Sequence, residues 1–208
     1  MPPRLTDRTM DAPDPRRALR ESLRAQRRAL PPTVRLLAAE GLAAQLAALP
    51  ALQQARHVAG YWAVDGELSL HALLAGPLAQ RYCLPLIQRD RRLRFARWNA
   101  GDPLAANRFG IPEPVAPRLL DGGELDVVLL PLVGFDRAGN RLGSGAGFYD
   151  RSFAFLQAMP RPARPLLVGV GYALQEVDAL SAAAWDVPLD YVATEAELIR
   201  CGPALPAA

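Results

Sequence analysis

The sequence predicts an α/β fold in which a central, mostly parallel β-sheet lies between two layers of helices. Short apolar runs alternate with helical stretches along most of the chain. Two of these runs, Val127 to Leu130 and Leu166 to Val168, are unbroken series of valine and leucine, which is typical of strands buried on both faces. Because such strands need helices above and below them, they predict a three-layer sandwich.

Two helices precede the first predicted strand. Asp14 and Pro15 have the residue types of a helix N-cap and a first helical position, and the leucines that follow recur at helical spacing. This pattern predicts a first helix over residues 15–29. A second helix follows, with Thr33 as its candidate cap, and continues through leucines and alanines to Pro50.

The later apolar runs are predicted strands. They lie at residues 57–63, 81–87, 93–98, 125–131 and 165–172. A short helix capped by Ser69 separates the first two. Residues 1–13 and 201–208 lack apolar periodicity, so we expect a flexible N-terminus and a flexible tail around a single α/β domain over residues 14–200.

The composition limits the possible functions. No apolar stretch approaches the roughly 18 residues that a membrane-spanning helix needs, and the N-terminus has no apolar signal core, so we expect a cytoplasmic protein without a membrane partner. Zinc-finger spacings, aromatic-rich strand pairs and basic low-complexity runs are absent from the sequence, which argues against nucleic acid as a partner. We expect a monomer.

Positive charge is concentrated near the start of the chain. All 24 basic residues are arginines, and nine of them, against four acids, fall within residues 1–35. Such a local field suits phosphate groups or a polyanionic small molecule. In the first helix Arg16, Arg20, Arg24 and Arg27 form a basic stripe, of which we predict Arg24 and Arg27 to be a solvated face.

A glycine-rich loop follows the strand predicted at 125–131. Gly143, Gly145 and Gly147 alternate with other residues, and glycine permits positive φ values and leaves backbone amides uncovered. An apolar pattern that begins at Phe148 predicts a helix after the loop, an arrangement suited to an anion. No Lys-Ser/Thr pair follows the glycines and no acid lies some 20 residues further on, which excludes the Walker A and dinucleotide-binding motifs.

The segment from Arg141 to Arg151, Arg-Leu-Gly-x-Gly-x-Gly-Phe-Tyr-Asp-Arg, resembles the signature of the 5-formyltetrahydrofolate cyclo-ligase family. Further segments match that family's pattern in the same order, over about residues 15–195: Arg16 to Arg20, Gly66-Glu67, Phe109 to Pro114, Gln175 and Asp186 to Asp190. The chain departs from the pattern where Arg16 replaces a lysine and Trp185 replaces a histidine.

The resemblance implies an enzyme that uses ATP and Mg²⁺ to convert 5-formyltetrahydrofolate, with or without a polyglutamate tail, to 5,10-methenyltetrahydrofolate. It implies catalytic roles for Arg141, Tyr149 and Asp150, and magnesium binding by Asp150 and Asp186. It places ATP against Arg16, Arg17, Ala18, Leu19 and Arg20 of the first helix and against Arg141, Leu142, Gly143, Ser144, Gly145, Ala146, Gly147, Phe148 and Tyr149 of the loop. It places the folate against Glu67, Trp62, Phe109 and Phe148.

Two other functions remain open on the sequence. A non-catalytic protein that binds folate or a nucleotide would keep the same pocket, although the presence of Arg141, Tyr149 and Asp150 argues against it. A sugar-phosphate isomerase on a similar sheet would explain the glycine loop without ATP, but it would leave Asp150 and Asp186 without a metal to bind.

Overall fold

The fold is known from a computed structural model. It describes residues 15–76, 78, 81–115 and 118–202. The predicted N-terminal segment 1–13, the predicted cap Asp14 and residues 203–208 of the predicted tail lie outside these ranges. Within them, no helix combines the length and the apolar character needed to cross a membrane.

The helices are short except for the first two. They are α1 (Pro15–Ala29), α2 (Pro32–Ala47), α3 (Pro50–Gln54), α4 (His71–Leu74) and α5 (Phe148–Phe153). Single 3-10 turns lie at Gly122–Glu124, Ala154–Ala158 and Ala173–Gln175. The bounds predicted for α1 are confirmed, whereas α2 ends before the predicted Pro50, at which α3 begins. Proline at that position can begin a helix but cannot continue one.

Eight strands form the central sheet. In chain order they are β1 (Val58–Ala59), β2 (Tyr82–Ile87), β3 (Leu93–Arg97), β6 (Leu119–Leu120), β7 (Val127–Pro131), β10 (Leu166–Val170), β11 (Tyr191–Ala193) and β12 (Leu198–Arg200). Two small ribbons pair β4 (Leu104–Ala106) with β5 (Pro112–Pro114), and β8 (Gly134–Phe135) with β9 (Arg141–Leu142).

The order of strands across the sheet is β12, β11, β10, β7, β1, β2, β3, β6. The five strands from β11 to β2 run parallel, and antiparallel strands complete both edges. The predicted mostly parallel sheet is confirmed. The strand predicted at 57–63 is shorter than expected, since only Val58 and Ala59 pair with neighbours on both sides.

The two faces of the sheet carry separate apolar clusters. Along β7, Val127 and Leu129 contribute to one cluster, and Val128 and Leu130 contribute to the other, as the two-residue period of a strand requires. The first cluster contains Leu42 and Leu46 of α2 together with side chains of α3. The second contains Phe153 of α5 and Leu156 of the following 3-10 turn. Helical segments therefore cover both faces, and the predicted three-layer architecture is confirmed.

Helix α1 lies across the carboxyl ends of the parallel strands. Its buried Leu23 packs in a third cluster with Val133, Leu142 and Leu180, which is separate from the clusters on the two sheet faces. Val133 is the second residue after the end of β7, so the helix covers the end of that strand. Ligands of parallel α/β sheets bind at this edge. Because of its position, α1 can contribute side chains to such a site.

Candidate active site

A cavity of about 500 Å³ opens at the carboxyl ends of the central strands. Its wall is built from α1, the segment that follows β1, the end of β7, the glycine loop, the start of α5 and a segment after β10. The lining residues are Arg16, Arg20, Arg24, Arg27, Val64, Asp65, Glu67, Leu130, Pro131, Val133, Arg141, Gly143, Ser144, Gly145, Gly147, Phe148, Tyr149, Asp150, Trp185 and Asp186.

The polar groups of this wall are strongly charged. Five of the lining residues are arginines, and four are carboxylates, namely Asp65, Glu67, Asp150 and Asp186. The cavity therefore joins residues far apart in the sequence, including several of those predicted to bind phosphate and substrate and both predicted metal ligands. Charged groups within a cavity are less screened than on an open surface, so their interactions with a bound anion are strengthened.

The glycine loop is held from one side by guanidinium groups. Arg20 Nε donates to the carbonyl of Gly143 (3.1 Å) and Arg24 Nη2 donates to that of Ser144 (3.3 Å). Gly145 has φ +98°, a value that side-chain-bearing residues rarely adopt. A Cβ added at Gly143 would meet no atom within 4 Å. The loop backbone is therefore fixed in place, while its glycines leave open space beside it for a ligand.

Arg141 is a buried arginine at the start of β9. It is 7% exposed, and its guanidinium donates to the carbonyl oxygen of Val187 through Nη1 and to Asp150 Oδ1 through Nη2. Burial lowers the pKa of the Arg141 guanidinium, and the neighbouring carboxylates of Asp150 and Asp186 oppose that shift. The arrangement fixes a positive charge against the glycine loop.

The two predicted metal ligands line the same cavity. Asp150 Oδ1 also accepts a hydrogen bond from the Val187 amide (3.3 Å), and Asp186 Oδ2 accepts one from the Ala183 amide (2.9 Å) and one from Arg16 Nη2 (3.3 Å). No cluster of three or more potential metal ligands exists in the described part of the chain. A cation here would therefore take two protein carboxylates and its other ligands from water or phosphate, which is the pattern that Mg²⁺ accepts.

Tyr149 lies between the glycine loop and the second apolar cluster. Its ring stacks on Phe153 with a centroid distance of 6.4 Å. Burial raises the pKa of the Tyr149 hydroxyl above its ordinary value, and the charge of Glu67 adds to this shift. The phenol is therefore neutral at physiological pH and available as a hydrogen-bond donor.

Glu67 lines the cavity from the turn in the segment after β1. Its Oε2 accepts a hydrogen bond from the Val64 amide (3.1 Å), and its Oε1 lies 3.9 Å from Arg27 Nη2. Burial raises the pKa of Glu67, which the Val64 amide and Arg27 oppose. The side chain is 16% exposed, so a carboxylate faces the cavity in a largely desolvated position.

Some residues of the predicted site lie outside the cavity wall. Arg17 is exposed and pairs with Glu21 (3.1 Å), Ala18 is exposed, and Leu19 packs with the cluster under α1. The Leu142 side chain is fully buried in that cluster. Ala146 is absent from the wall, although its neighbours in the loop line it.

Two predicted aromatic residues are also outside the wall. Trp62 packs edge-on against Trp98, with ring centroids 5.8 Å apart. Phe109 is half exposed and packs edge-on against Phe148 (6.1 Å), which does line the cavity. Phe109 therefore reaches the cavity only through its contact with Phe148.

The prediction that Arg24 and Arg27 form a solvated face is wrong. Both line the cavity, and Arg27 is only 2% exposed. They continue the stripe of Arg16 and Arg20 along α1. Their helical spacing is the feature of the sequence that could have predicted their place in the cavity wall. The sequence indicates that these side chains share a helix face but does not indicate that the carboxyl edge of the sheet covers it.

Comparison with known proteins connects this architecture to one family. The sequence pattern of the 5-formyltetrahydrofolate cyclo-ligase family matches residues 13–195. The chain is 32% identical over 182 residues to the 5-formyltetrahydrofolate cyclo-ligase of Escherichia coli, covering 85% of this chain and 98% of that protein. It is 38% identical over 143 residues to the cyclo-ligase of Haemophilus influenzae, covering 66% of this chain and 74% of that protein.

A solved structure gives the same result for the fold. The NMR structure of 5,10-methenyltetrahydrofolate synthetase from Aquifex aeolicus matches with a TM-score of 0.77 and 28% sequence identity. The match covers 93% of this chain and 96% of that one. Since the family pattern spans most of the sequence and the fold agrees, the chain belongs, as an enzyme, to the 5-formyltetrahydrofolate cyclo-ligase family.

Proposed function

We propose that this protein uses ATP and Mg²⁺ to convert 5-formyltetrahydrofolate to 5,10-methenyltetrahydrofolate, with release of ADP and phosphate. The observation that carries the proposal is that one cavity contains both an arginine-bound glycine loop and the desolvated carboxylate of Glu67. The first suits a polyphosphate, and the second suits a ligand that presents N–H donors.

The chemistry requires activation of a poor electrophile. The formyl group on N5 is an amide, and its oxygen leaves only after it is phosphorylated. Attack of that oxygen on the γ-phosphorus of ATP forms the new P–O bond and releases ADP. The N10 amine then attacks the formyl carbon, loses its proton, and the C–O bond breaks as phosphate departs. Both nucleophiles belong to the folate, so the reaction needs no nucleophile from the protein.

The role of the protein is then to align two substrates and to balance charge. Arg16, Arg20 and Arg141 together with the glycine loop would bind the phosphates, because arginine offers a fixed planar set of donors to phosphate oxygens. Alignment of the γ-phosphorus with the formyl oxygen replaces a bimolecular encounter by a reaction within one complex. Charge that develops on the transferred group is stabilised by donors that are already oriented.

The donor set also fits a magnesium ion. The hydrogen bonds that Asp150 and Asp186 accept from described residues fall on one oxygen of each carboxylate, Oδ1 and Oδ2 respectively. The second oxygen of each is therefore available as a ligand. When bound, Mg²⁺ supplies neutralisation of phosphate charge during transfer. Asp150 and Asp186 would hold and orient it.

Glu67 would recognise the folate ring. A reduced pterin presents N–H donors along one edge, and an ionised carboxylate can accept two of them. Phe148 lines the cavity and offers an aromatic surface beside the glycine loop. A polyglutamate tail on the substrate is compatible with the proposal but is not needed by it.

The decisive experiment mixes purified protein, 5-formyltetrahydrofolate, ATP and magnesium, and follows the methenyl product by its absorbance. We expect product formation that stops when either ATP or magnesium is omitted. Absence of product from protein that binds both ATP and the folate would contradict the proposal and would favour a non-catalytic binding protein. Product formation without nucleotide would contradict its phosphoryl-transfer step.

A further inference from the structure

Arg27 is a buried residue of α1 that contacts the rest of the cavity wall. Its Nε donates to the carbonyl of Asp65 (3.0 Å), its Nη2 donates to Asp65 Oδ2 (3.1 Å), and its Nη1 donates to the carbonyl of Leu132 (3.1 Å). Asp65 follows β1 and Leu132 follows β7, and these two strands are neighbours in the sheet. One guanidinium therefore bridges the segments that follow two adjacent strands.

The segment held by Arg27 is the turn that presents Glu67. The Glu67 amide donates to the Val64 carbonyl (2.9 Å), and the two central residues are left-handed, with φ of 53° at Asp65 and 75° at Gly66. Two successive positive φ values define a type I′ turn, and aspartate is among the few side-chain-bearing residues that tolerate this region. The carbonyl and carboxylate of Asp65 both accept hydrogen bonds from Arg27, which fixes this backbone conformation.

The charge balance around Glu67 also depends on Arg27. The groups that face the Glu67 carboxylate are Arg27 and Arg24 of α1, Asp65 of its own turn, and the hydroxyls of Tyr61 and Tyr149. Of the two arginines, Arg27 has the larger effect on Glu67. A desolvated carboxylate without a nearby cation takes up a proton more readily. Arg27 therefore favours the ionised form of Glu67.

A buried guanidinium is a poor means of stabilising a helix contact. An apolar residue of similar volume avoids the cost of desolvating a charge, and buried ion pairs are often no better for stability than such a replacement. The neighbouring Leu23 shows that α1 also buries apolar side chains at this edge of the sheet. The donors of Arg27 and its charge, rather than its packing volume, distinguish it from a leucine at this position.

We propose that Arg27 is a positioning residue for folate binding, which holds the Val64–Glu67 turn and keeps the Glu67 carboxylate oriented toward the cavity. The inference rests on the proposed function, because it takes Glu67 as the group that binds the folate. Arg27 itself bonds to the protein and acts on the substrate through Glu67. Its hydrogen bonds go to Asp65 and Leu132, whereas the glycine loop is held by Arg20 and Arg24, so its loss should act on the folate and not on ATP.

The test compares variants by their KM for 5-formyltetrahydrofolate and for ATP, by equilibrium binding of the folate, and by the pH profile of kcat/KM for the folate. Arg27→Lys keeps the charge but cannot reach both backbone carbonyls, and we expect the folate KM to rise about tenfold with the ATP KM unchanged. Glu67→Gln provides the reference for a folate-specific loss. Arg28→Ala is the matched control, since Arg28 contacts Asp65 from the exposed side and does not line the cavity.

The pH profile separates positioning from a general loss of structure. Loss of the cation in Arg27→Met should raise the pKa of Glu67, which moves the acid limb of the profile to higher pH. Asp65→Asn should move it to lower pH, because the Asp65 charge opposes ionisation of Glu67. Asparagine tolerates the left-handed conformation found at Asp65. The backbone carbonyls of positions 65 and 132 remain as acceptors for Arg27.

Opposite shifts of the acid limb in the two variants, together with normal behaviour of Arg28→Ala, support the inference. An unchanged folate KM in folded Arg27→Lys overturns it, as does an equal rise of both KM values. Shifts in the same direction in Arg27→Met and Asp65→Asn also overturn it. Failure of the proposed function is seen separately, because the wild-type protein would then form no methenyl product before any variant is compared.

Discussion

At the residue scale, the ion pair between Arg141 and Asp150 joins the two ends of the segment that contains the glycine loop. Arg141 is almost completely buried, and its guanidinium contacts Asp150 and the Val187 carbonyl. A buried cation without a carboxylate partner is costly, so Asp150 is needed to hold Arg141 in place even before a metal binds. Under the proposed function, Asp150 therefore has two roles, as the partner of Arg141 and as a metal ligand.

These two roles lead to a prediction for Asp150→Asn. The substitution should lower turnover at least tenfold and raise the magnesium concentration needed for half-maximal activity, while folate affinity stays unchanged, because the lost charge faces the phosphate region. Asp186→Asn should have the same effects more mildly. A magnesium titration at saturating ATP measures both.

Asp90→Asn is the matched control, since Asp90 is exposed and lies outside the cavity wall. A normal magnesium titration in Asp150→Asn, accompanied by a raised KM for ATP, would mean that Asp150 acts only as the partner of Arg141. For Asp186, an unchanged titration would leave it as the partner of Arg16.

At the element scale, α1 is the structural support of the cavity. It crosses the carboxyl ends of the strands and contributes four arginines to the wall, of which Arg20 and Arg24 hold the glycine loop by its carbonyls. Its amphipathic stripe resembles that of many surface helices, but its polar face lines the cavity. The helix therefore supports both the glycine loop and, through Arg27, the turn that carries Glu67.

A prediction for α1 concerns Arg16, where the family pattern has lysine. Arg16→Lys should change the KM for ATP by less than about threefold, since the positive charge is kept. Arg16→Ala should raise that KM about tenfold or more, as expected for loss of a charge-assisted hydrogen bond of about 1.5–3 kcal/mol. Steady-state kinetics at saturating folate give both values.

The control for the two Arg16 variants is a substitution of the next residue in α1. Arg17 is exposed and pairs with Glu21, so Arg17→Ala removes an equal charge without altering the wall. Equal KM values for ATP in Arg16→Ala and Arg17→Ala would exclude Arg16 from phosphate binding. A large loss in Arg16→Lys would show that the planar guanidinium, and not charge alone, is required.

At the scale of the whole molecule, the amino ends of the central strands are joined around Asp126. Its carboxylate accepts hydrogen bonds from the amides of Arg56 (2.8 Å) and His57 (3.0 Å), which precede β1, and pairs with Arg164 (2.7 Å), which precedes β10. Its backbone carbonyl accepts from Leu166 (2.9 Å), the first residue of β10. One residue thus connects the starts of three adjacent strands.

The pH dependence of stability tests this connection. Burial raises the pKa of Asp126, but the two amides and Arg164 outweigh it, and the net pKa is lowered. A carboxyl group with a lowered folded-state pKa stabilises the protein above its unfolded pKa of about 4, and this contribution is lost as the pH falls through the folded value. Asp126→Asn should therefore reduce the free energy of unfolding by about 1–3 kcal/mol at pH 7.

The difference between Asp126→Asn and the wild type should decrease as the pH falls below about 4, because the carboxylate then takes up its proton first in the unfolded chain and at lower pH in the folded protein. Urea unfolding over a series of pH values from neutral into acid measures it, with Asp90→Asn as the exposed control. A difference that stays constant over the whole series would show that packing, and not ionisation, is responsible. Folate and ATP affinity should be unaffected, since Asp126 lies at the end of the strands opposite the cavity.

The sequence by itself determined the first two helices, five strands of the central sheet and the glycine loop. Unbroken apolar runs predicted β7 and β10, because a strand covered on both faces has no polar side, and proline and leucine spacing predicted the bounds of α1. The 141–151 motif identified the glycine loop, which needs particular residue types at fixed spacing. These features are local, so a linear pattern is sufficient to predict them.

Only the tertiary structure decided which of those side chains meet. Helical periodicity placed Arg16, Arg20, Arg24 and Arg27 on one face, but burial of Arg27 follows from the segments after β1 and β7 lying under α1. The contact of Arg27 with the turn of Glu67 likewise depends on the pairing of two strands that are distant in the sequence. Side chains that are separated by many residues become neighbours through the order of strands in the sheet, and no local pattern specifies that order.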